Sequence, residues 1–122
     1  MILVVDDDPA SVEALCELLK SAGHDVVWAE NGREALERLR EDRQFCVILL
    51  DVMMPVMNGY EFREEQLKDP SLASIPVFLI SADWRGRTKA EELGTERYFQ
   101  KPVSPGEILR AVGEYCLPSA AG

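Results

Sequence analysis

The stretch VILLDVMMP, residues 47–55, decides how the rest of the sequence is organised. Its first four residues are apolar, a run typical of a strand that is buried on both faces of a sheet. The run ends on a carboxylate, Asp51, and Pro55 then stops regular strand pairing. In open α/β folds, ligands bind at the carboxyl ends of the strands. Asp51 is therefore either a loop or capping residue or part of a ligand site, and other segments must decide between the two.

Five apolar segments alternate with helical patterns along the chain. The predicted strands are Met1–Val5, Asp25–Ala29, Phe45–Leu50, Pro76–Ile80 and Tyr98–Phe99. The third predicted helix, from Tyr60 to about Lys68, is the least amphipathic, because only Tyr60, Phe62 and Leu67 are available for burial. The alternation predicts an α/β fold with a single five-stranded parallel sheet and helices on both faces. The flavodoxin-like strand order 2-1-3-4-5 is the natural choice.

Length and composition limit the possible functions. The 122 residues suit one domain, predicted over residues 1–118 with a disordered tail over residues 119–122. The 22 acidic and 13 basic residues give a net charge of −9, which disfavours direct nucleic-acid binding. No apolar run approaches the roughly 20 residues of a membrane helix, and no signal peptide is recognisable. Three cysteines, an odd number without close pairing, predict reduced, buried thiols in a cytoplasmic protein: Cys16, Cys46 and Cys116.

Polar side chains end four of the five predicted strands: Asp6 and Asp7, Asp51, Ser81 and Lys101. Each alone is more often a cap or turn residue, but the ends of parallel strands share one edge of a sheet. Carboxylates about 4 Å apart repel by several kcal/mol at an effective dielectric near 20. A lysine can neutralise one charge and a divalent cation the rest, and ligands that are all oxygen favour Mg²⁺.

Such an arrangement can form an aspartyl phosphate. A carboxylate next to Mg²⁺ and a lysine can accept a phosphoryl group, because this chemistry depends mostly on positioning and electrostatics. The Ser81 hydroxyl could hydrogen-bond one phosphoryl oxygen.

These segments together resemble the receiver domain of two-component response regulators and are similar to chemotaxis receivers. The resemblance covers essentially the whole chain. The separations agree with those usual in the family, 51 − 6 = 45 and 81 − 51 = 30 residues. The matching stretches are ILVVDDDP (residues 2–9), ILLDVMMPVMNG (48–59), PVFLISA (76–82) and YFQKP (98–102).

The resemblance implies a role for each site residue. Asp51 would be the phosphoacceptor, and the cation would be Mg²⁺, for which Mn²⁺ could substitute. The metal ligands would be Asp7, Asp51, the backbone carbonyl of Met53 and, through a water molecule, Asp6.

The remaining roles implied by the family concern the switch and the partners. Ser81 would be the switch hydroxyl, Tyr98 the aromatic switch residue, and Lys101 the partner of the phosphoryl group, with a cis bond to Pro102. The donor would be a phosphohistidine of a histidine kinase or of a histidine phosphotransfer protein. The output would be an unknown protein or a missing effector domain, with a possible phosphorylation-dependent homodimer. Such a domain is not an enzyme in the usual sense, although it assists its own phosphorylation and dephosphorylation.

One departure from the family concerns the fourth helix. The separation 101 − 81 = 20 residues is about two shorter than is commonest in the family, so this helix must be shorter or its loop tighter. The helix is predicted to run through Ala90 and Leu93 and to stop at Gly94. Many receivers dimerise through this region, so the usual dimer is not assured here.

Three alternatives stay open from the sequence. A degenerate receiver would act as a protein-interaction module without phosphorylation, but such domains usually lack one of the acids, the hydroxyl or the lysine. A haloacid-dehalogenase-like phosphatase would need a second acid where this chain has Met53. A flavodoxin-like flavin binder would need a Ser-, Thr- and Gly-rich loop where this chain has three aspartates, Asp6 to Asp8.

Overall fold

The computed structural model describes residues 1–41, 44–51, 57–82 and 85–117. Within them, strands and helices alternate as the sequence predicts. The strands are β1 Ile2–Val5, β2 Val26–Ala29, β3 Val47–Asp51, β4 Val77–Ser81 and β5 Arg97–Gln100. The helices are α1 Pro9–Ser21, α2 Gly32–Arg40, α3 Gly59–Lys68, α4 Gly86–Leu93 and α5 Pro105–Tyr115.

The five strands form one parallel sheet in the order β2-β1-β3-β4-β5, which confirms the predicted flavodoxin-like topology. The three central strands β1, β3 and β4 are buried along their whole length, as their apolar runs require. Asp51 and Ser81 are the last residues of β3 and β4, so the sheet itself fixes where their side chains begin.

Alternate residues of the central strands pack into two hydrophobic clusters, one on each face of the sheet. Leu3, Ile48 and Leu79 point into the cluster that α2, α3 and α4 cover. Val4, Leu49 and Phe78 point into the opposite cluster, which α1 and α5 cover. Both faces of the sheet are therefore closed, and polar chemistry is restricted to the ends of the strands.

The buried face of α3 differs from the prediction. The helix begins at a capping box of Asn58 and Glu61. Tyr60 and Leu67, expected in the core, lie at the surface, and Leu67 is 52% exposed. Their places are taken by Arg63 and Gln66, which are 7% and 0% exposed.

Arg63 and Gln66 are buried because their side chains donate hydrogen bonds to backbone carbonyl oxygens at the end of α4 and in the α3–β4 loop. The Arg63 guanidinium donates to the carbonyl oxygens of Leu93 (2.9 Å) and Gly94 (3.0 Å), where α4 ends, and to Gln66 Oε1 (2.8 Å). Gln66 Nε2 in turn donates to the carbonyl oxygens of Leu72 (2.9 Å) and Ile75 (3.1 Å). The negative end of the α4 dipole also favours a cation at this position. These hydrogen bonds of Arg63 and Gln66, the Arg63 connection, therefore hold α3, the α3–β4 loop and α4 together.

The predicted end of the fourth helix at Leu93 and Gly94 is confirmed. α4 has eight residues, and Gly94 ends it in the left-handed conformation with φ of 66°. The Lys101–Pro102 peptide is cis, as the family resemblance implies.

The predicted tail over residues 119–122 lies outside the described residues, and a receiver domain over residues 1–118 stays a prediction. Among the described residues, no helix has both the length and the apolar character needed to cross a membrane.

The prediction of three reduced, buried cysteines was wrong. Cys46, just before β3, and Cys116, just after α5, form a disulfide with a Cα–Cα distance of 5.5 Å. The pairing spans 70 residues, so the spacing in the sequence gave no indication that these two segments meet. Cys16 is free but only partly buried, and this burial raises the pKa of its thiol.

We predict that Arg63→Ala lowers the free energy of unfolding by about 2–4 kcal/mol, because one buried and two partly buried oxygen acceptors lose their donors. Urea denaturation measures this change. The matched control is Glu64→Ala on the same helix, where the Glu64 side chain is 70% exposed and forms an ion pair with the exposed Lys68. The control should change stability by no more than about 0.5 kcal/mol. Equal losses in the two variants would contradict a structural role for the Arg63 connection.

We predict that the unreduced, denatured protein contains one titratable thiol, that of Cys16, and that reduction raises the number to three. Thiol titration with and without reductant measures both values. The Cys16→Ser variant serves as the control and should give no thiol before reduction. Three reactive thiols in the unreduced, air-exposed wild type would contradict the disulfide.

Candidate functional site

The loop after β1 carries the first two acids of the site. The Asp6 backbone N–H donates to the Ala29 carbonyl oxygen (3.1 Å), which continues the β1–β2 pairing by one residue. The Asp6 Oδ1 atom accepts the backbone N–H of Asp8 (3.0 Å). Asp8 itself caps α1, with its carboxylate accepting the Ala10 N–H (3.2 Å) and the Ser11 hydroxyl (2.8 Å). The Ser11 hydrogen bond is the main reason that the pKa of Asp8 is lowered. Asp8 is thus used in capping the helix, while Asp6 and Asp7 are directed to the edge of the sheet.

The neighbouring strands β3 and β4 place Asp51 and Ser81 at the same edge. Asp51 pairs in register with Ile80, so Ser81 is the next residue along the adjacent strand. Both side chains are shielded from solvent, since Asp51 is 9% and Ser81 2% exposed. The Ser81 carbonyl oxygen accepts the backbone N–H of Lys101 (2.9 Å), which ties the end of β5 to this edge.

Lys101 reaches back from the end of β5 to the acids. Its Nζ atom lies 2.9 Å from Asp6 Oδ2 and 3.6 Å from Asp51 Oδ2. Burial of the ammonium group opposes its charged form. The hydrogen bond to Asp6 and the charges of Asp51 and Asp6 outweigh this burial, so the pKa of Lys101 is raised. Lys101 therefore stays positively charged at neutral pH and offsets part of the negative charge.

The three acids form one cluster of carboxylate oxygens. Asp6, Asp7 and Asp51 each offer an oxygen atom, and these atoms lie within 4.8 Å of one another. With Lys101 the formal charge is −3 + 1 = −2, so the cluster keeps an excess of two negative charges. Oxygen ligands and an uncompensated charge of −2 suit a hard divalent cation such as Mg²⁺. The residues present therefore fit the metal that the sequence predicts.

An apolar cleft opens beside this cluster. It has a volume of about 710 Å³ and lies between α1 and the segment that follows β5. Leu15 and Leu18 of α1 line one wall and Val103 the other, and Asp51 and Lys101 lie at its polar end. The cluster is thus accessible from this side of the molecule.

Two further residues were predicted for the site, Tyr98 and Met53. Tyr98 lies in β5, half-buried against the hydrophobic cluster formed with α2, α3 and α4. Met53, expected to contribute a backbone carbonyl to the metal, lies outside the described residues.

Trp28 contacts the site and was missed by the sequence reasoning. Its indole Nε1–H donates to the carbonyl oxygen of Asp6 (2.8 Å). An aromatic residue near the end of an edge strand was the available signal, but nothing in its spacing indicated which group it would contact.

Comparison with known proteins identifies the family. The model of the response regulator receiver domain matches residues 2–113. The protein PilH of Pseudomonas aeruginosa is 31% identical over 113 residues, which are 91% of this chain and 93% of PilH. The transcriptional regulatory protein CpxR homolog of Haemophilus influenzae is 38% identical over 124 residues, covering 98% of this chain but 52% of that protein. The chain therefore corresponds to almost the whole of one relative and to about half of another.

A solved structure agrees with these matches. The receiver domain of a sensor histidine kinase from Pseudomonas aeruginosa PAO1, with a magnesium ion coordinated in its active site cleft, has a TM-score of 0.85 and 25% identity. The alignment covers 93% of this chain and 94% of that domain. None of these matches supports the phosphatase alternative. With a family model that spans most of its length, a curated relative above 30% identity and the same fold, this chain belongs to the response regulator receiver domain family of two-component systems.

Proposed function

We propose that Asp51 accepts a phosphoryl group from a phosphohistidine of a histidine kinase or of a histidine phosphotransfer protein. The observation that carries the proposal is the convergence of three carboxylates within 4.8 Å, with the Lys101 ammonium 3.6 Å from Asp51. Asp51 is the acid that ends the central strand β3 and lies between Asp6 and Asp7 on one side and Ser81 on the other. Asp51 is therefore the acid at which a bound cation, Lys101 and Ser81 could all contact an incoming phosphoryl group.

The metal would be Mg²⁺, for which Mn²⁺ could substitute. Asp7 and Asp51 would bind it directly and Asp6 through water, with the Met53 carbonyl, outside the described residues, as a further ligand. When bound, Mg²⁺ supplies positive charge that offsets the charge of the phosphoryl oxygens.

The protein groups would act together in the transfer. An Asp51 carboxylate oxygen forms a bond to phosphorus while the bond from phosphorus to the donor imidazole breaks, and the electron pair stays on the imidazole nitrogen. The Lys101 ammonium moves from its ion pairs to a phosphoryl oxygen, and the Ser81 hydroxyl donates a hydrogen bond to another. The low exposure of Asp51 limits the water that could compete at the phosphorus atom. The apolar cleft that ends at Asp51 supports an approach of the donor protein from the side of α1.

The signal would leave through Ser81 and Tyr98. Movement of the Ser81 hydroxyl to the phosphoryl group and of the half-buried Tyr98 ring into the core would shift the population of conformations near α4 and β5. The receiver of this change would be an output protein or an effector domain, and a phosphorylation-dependent homodimer is a further possible output. The proposal includes a cytoplasmic location, in which the Cys46–Cys116 disulfide would be one of the uncommon disulfides of that compartment. Two features favour this function over a phosphorylation-independent module, namely the complete set of acids and the lysine in contact with two of them.

We predict that a small phosphodonor such as acetyl phosphate adds one phosphoryl group to the protein when Mg²⁺ is present. Asp51→Asn should abolish the addition, because the amide is a far weaker nucleophile than the carboxylate. Mass spectrometry of the intact protein measures the product. Asp25→Asn, an exposed acid outside the cluster, is the matched control and should be phosphorylated like the wild type. Phosphorylation of Asp51→Asn at the wild-type rate would assign the acceptor elsewhere.

We predict that Lys101→Gln changes metal binding and phosphorylation in opposite directions. Loss of the ammonium leaves the cluster with three negative charges, so Mg²⁺ binds more tightly, while the rate of phosphorylation falls about a hundredfold. A Mg²⁺ titration followed by NMR and the mass-spectrometric rate measure the two effects. Lys20→Gln, an exposed residue at the end of α1, should change neither. Weaker Mg²⁺ binding by Lys101→Gln would mean that Lys101 does not act mainly through its charge.

A further inference from the structure

Trp28 is an exposed aromatic residue with one specific contact to the acidic site. It lies in the edge strand β2, one residue before the end of the strand, and is 39% exposed. Its indole N–H donates to the Asp6 carbonyl oxygen at 2.8 Å. The position pairs with Val4 of β1, so the ring must extend past the end of the β1–β2 pairing to reach Asp6.

The contact completes the attachment of the Asp6 backbone to β2. The Asp6 N–H is bonded to the Ala29 carbonyl oxygen at 3.1 Å, and the Asp6 carbonyl is bonded to Trp28. The regular β1–β2 register ends at Val5 and Ala29, and the Asp6 N–H extends the pairing by one hydrogen bond. The side chain of Trp28 provides the donor that a longer strand would have provided.

The Asp6 carbonyl belongs to the peptide group that joins Asp6 to Asp7. Because a peptide group is planar, a hydrogen bond that fixes the carbonyl also fixes the N–H of Asp7 and the direction in which the chain enters Asp7. Asp7 is an exposed member of the acid cluster, and within the described part of the chain its carboxylate accepts no hydrogen bond. Repulsion from Asp6 and Asp51 would tend to turn this carboxylate towards solvent. A fixed peptide group limits that movement.

We propose that Trp28 is a positioning residue for the cation site, which holds the Asp6–Asp7 peptide group so that the Asp7 carboxylate stays directed at Asp51. The proposal rests on the function proposed above, since it assigns Asp7 to the metal. The indole acts on the protein before the cation binds, by raising the fraction of molecules whose acids are already arranged. The apparent dissociation constant of a ligand rises as that fraction falls.

The test compares the wild type with Trp28→Phe, which keeps an apolar ring and removes the N–H. The matched control is Ser21→Ala, which also removes one side-chain hydrogen bond to a backbone carbonyl, that of Leu18 (2.6 Å), but at the far end of α1 from the acids. Mg²⁺ binding is measured from the backbone amide shifts in NMR spectra at constant ionic strength. Thermal unfolding of the metal-free proteins measures the purely structural effect of each substitution. The rate of phosphorylation by acetyl phosphate is measured at low and at saturating Mg²⁺.

We expect Trp28→Phe to raise the Mg²⁺ dissociation constant about two- to tenfold, the effect of one ordinary hydrogen bond on an equilibrium. The rate of phosphorylation should fall at low Mg²⁺ and return to the wild-type value at saturation, because excess cation restores the arrangement. Ser21→Ala should leave both quantities unchanged. In the wild type, the indole N–H signal that disappears in Trp28→Phe should shift when Mg²⁺ is added.

Two results would overturn the proposal in different ways. If the wild type binds Mg²⁺ and Trp28→Phe binds it within twofold of the wild type, Trp28 has only a structural role, and the proposed function stands. If the wild type neither binds Mg²⁺ nor accepts a phosphoryl group, the proposed function fails and the positioning role fails with it.

Discussion

The properties of the site follow from the electrostatic repulsion among three carboxylates that the sheet topology brings together. β1 and β3 are parallel neighbours, so the acids that end them must meet at one edge. Two such charges about 4 Å apart repel by about 4 kcal/mol at an effective dielectric of 20. Lys101, tied to β4 through the Ser81 carbonyl, offsets part of this repulsion. The remaining excess of negative charge suits the binding of a divalent cation at this edge.

The rest of the fold holds these charges in place. The central strands are apolar up to their final residue, and helices cover both faces of the sheet. A shift of one strand along its neighbour would expose apolar side chains, so the strand ends stay together. Polar contacts outside the core then fix the loops. Asp8 caps α1 and donates its N–H to Asp6, and Trp28 bonds the Asp6 carbonyl. On the opposite side of the sheet, the Arg63 connection holds the end of α4 next to β5. The cluster of like charges destabilises the fold at one edge, and the core and the polar contacts stabilise it elsewhere, as is usual for a functional site.

The sequence predicted most of the fold and the main acids, because these features follow local rules. Apolar runs that end on polar residues indicated the strands, and the strand order is a common one for parallel sheets covered by helices on both faces. The sequence was misleading where polar residues are buried and apolar residues are exposed, against their usual preference. Arg63 and Gln66 are buried because they donate to carbonyl groups at the end of α4 and in the α3–β4 loop, while Tyr60 and Leu67 lie at the surface. Partners distant in sequence, such as Cys46 and Cys116 or Trp28 and Asp6, carry no local signal at all.

The central claim is that the folded chain holds acids whose charge is not balanced until a divalent cation binds. The most direct test is the free energy of unfolding of the unmodified protein in increasing MgCl₂ at constant ionic strength. A cation that binds only the folded state must raise this free energy with the logarithm of its concentration once the concentration exceeds the dissociation constant. The account predicts such a rise with Mg²⁺ and none with an equal ionic strength of NaCl. A free energy of unfolding that stays flat in Mg²⁺ up to tens of millimolar would contradict it.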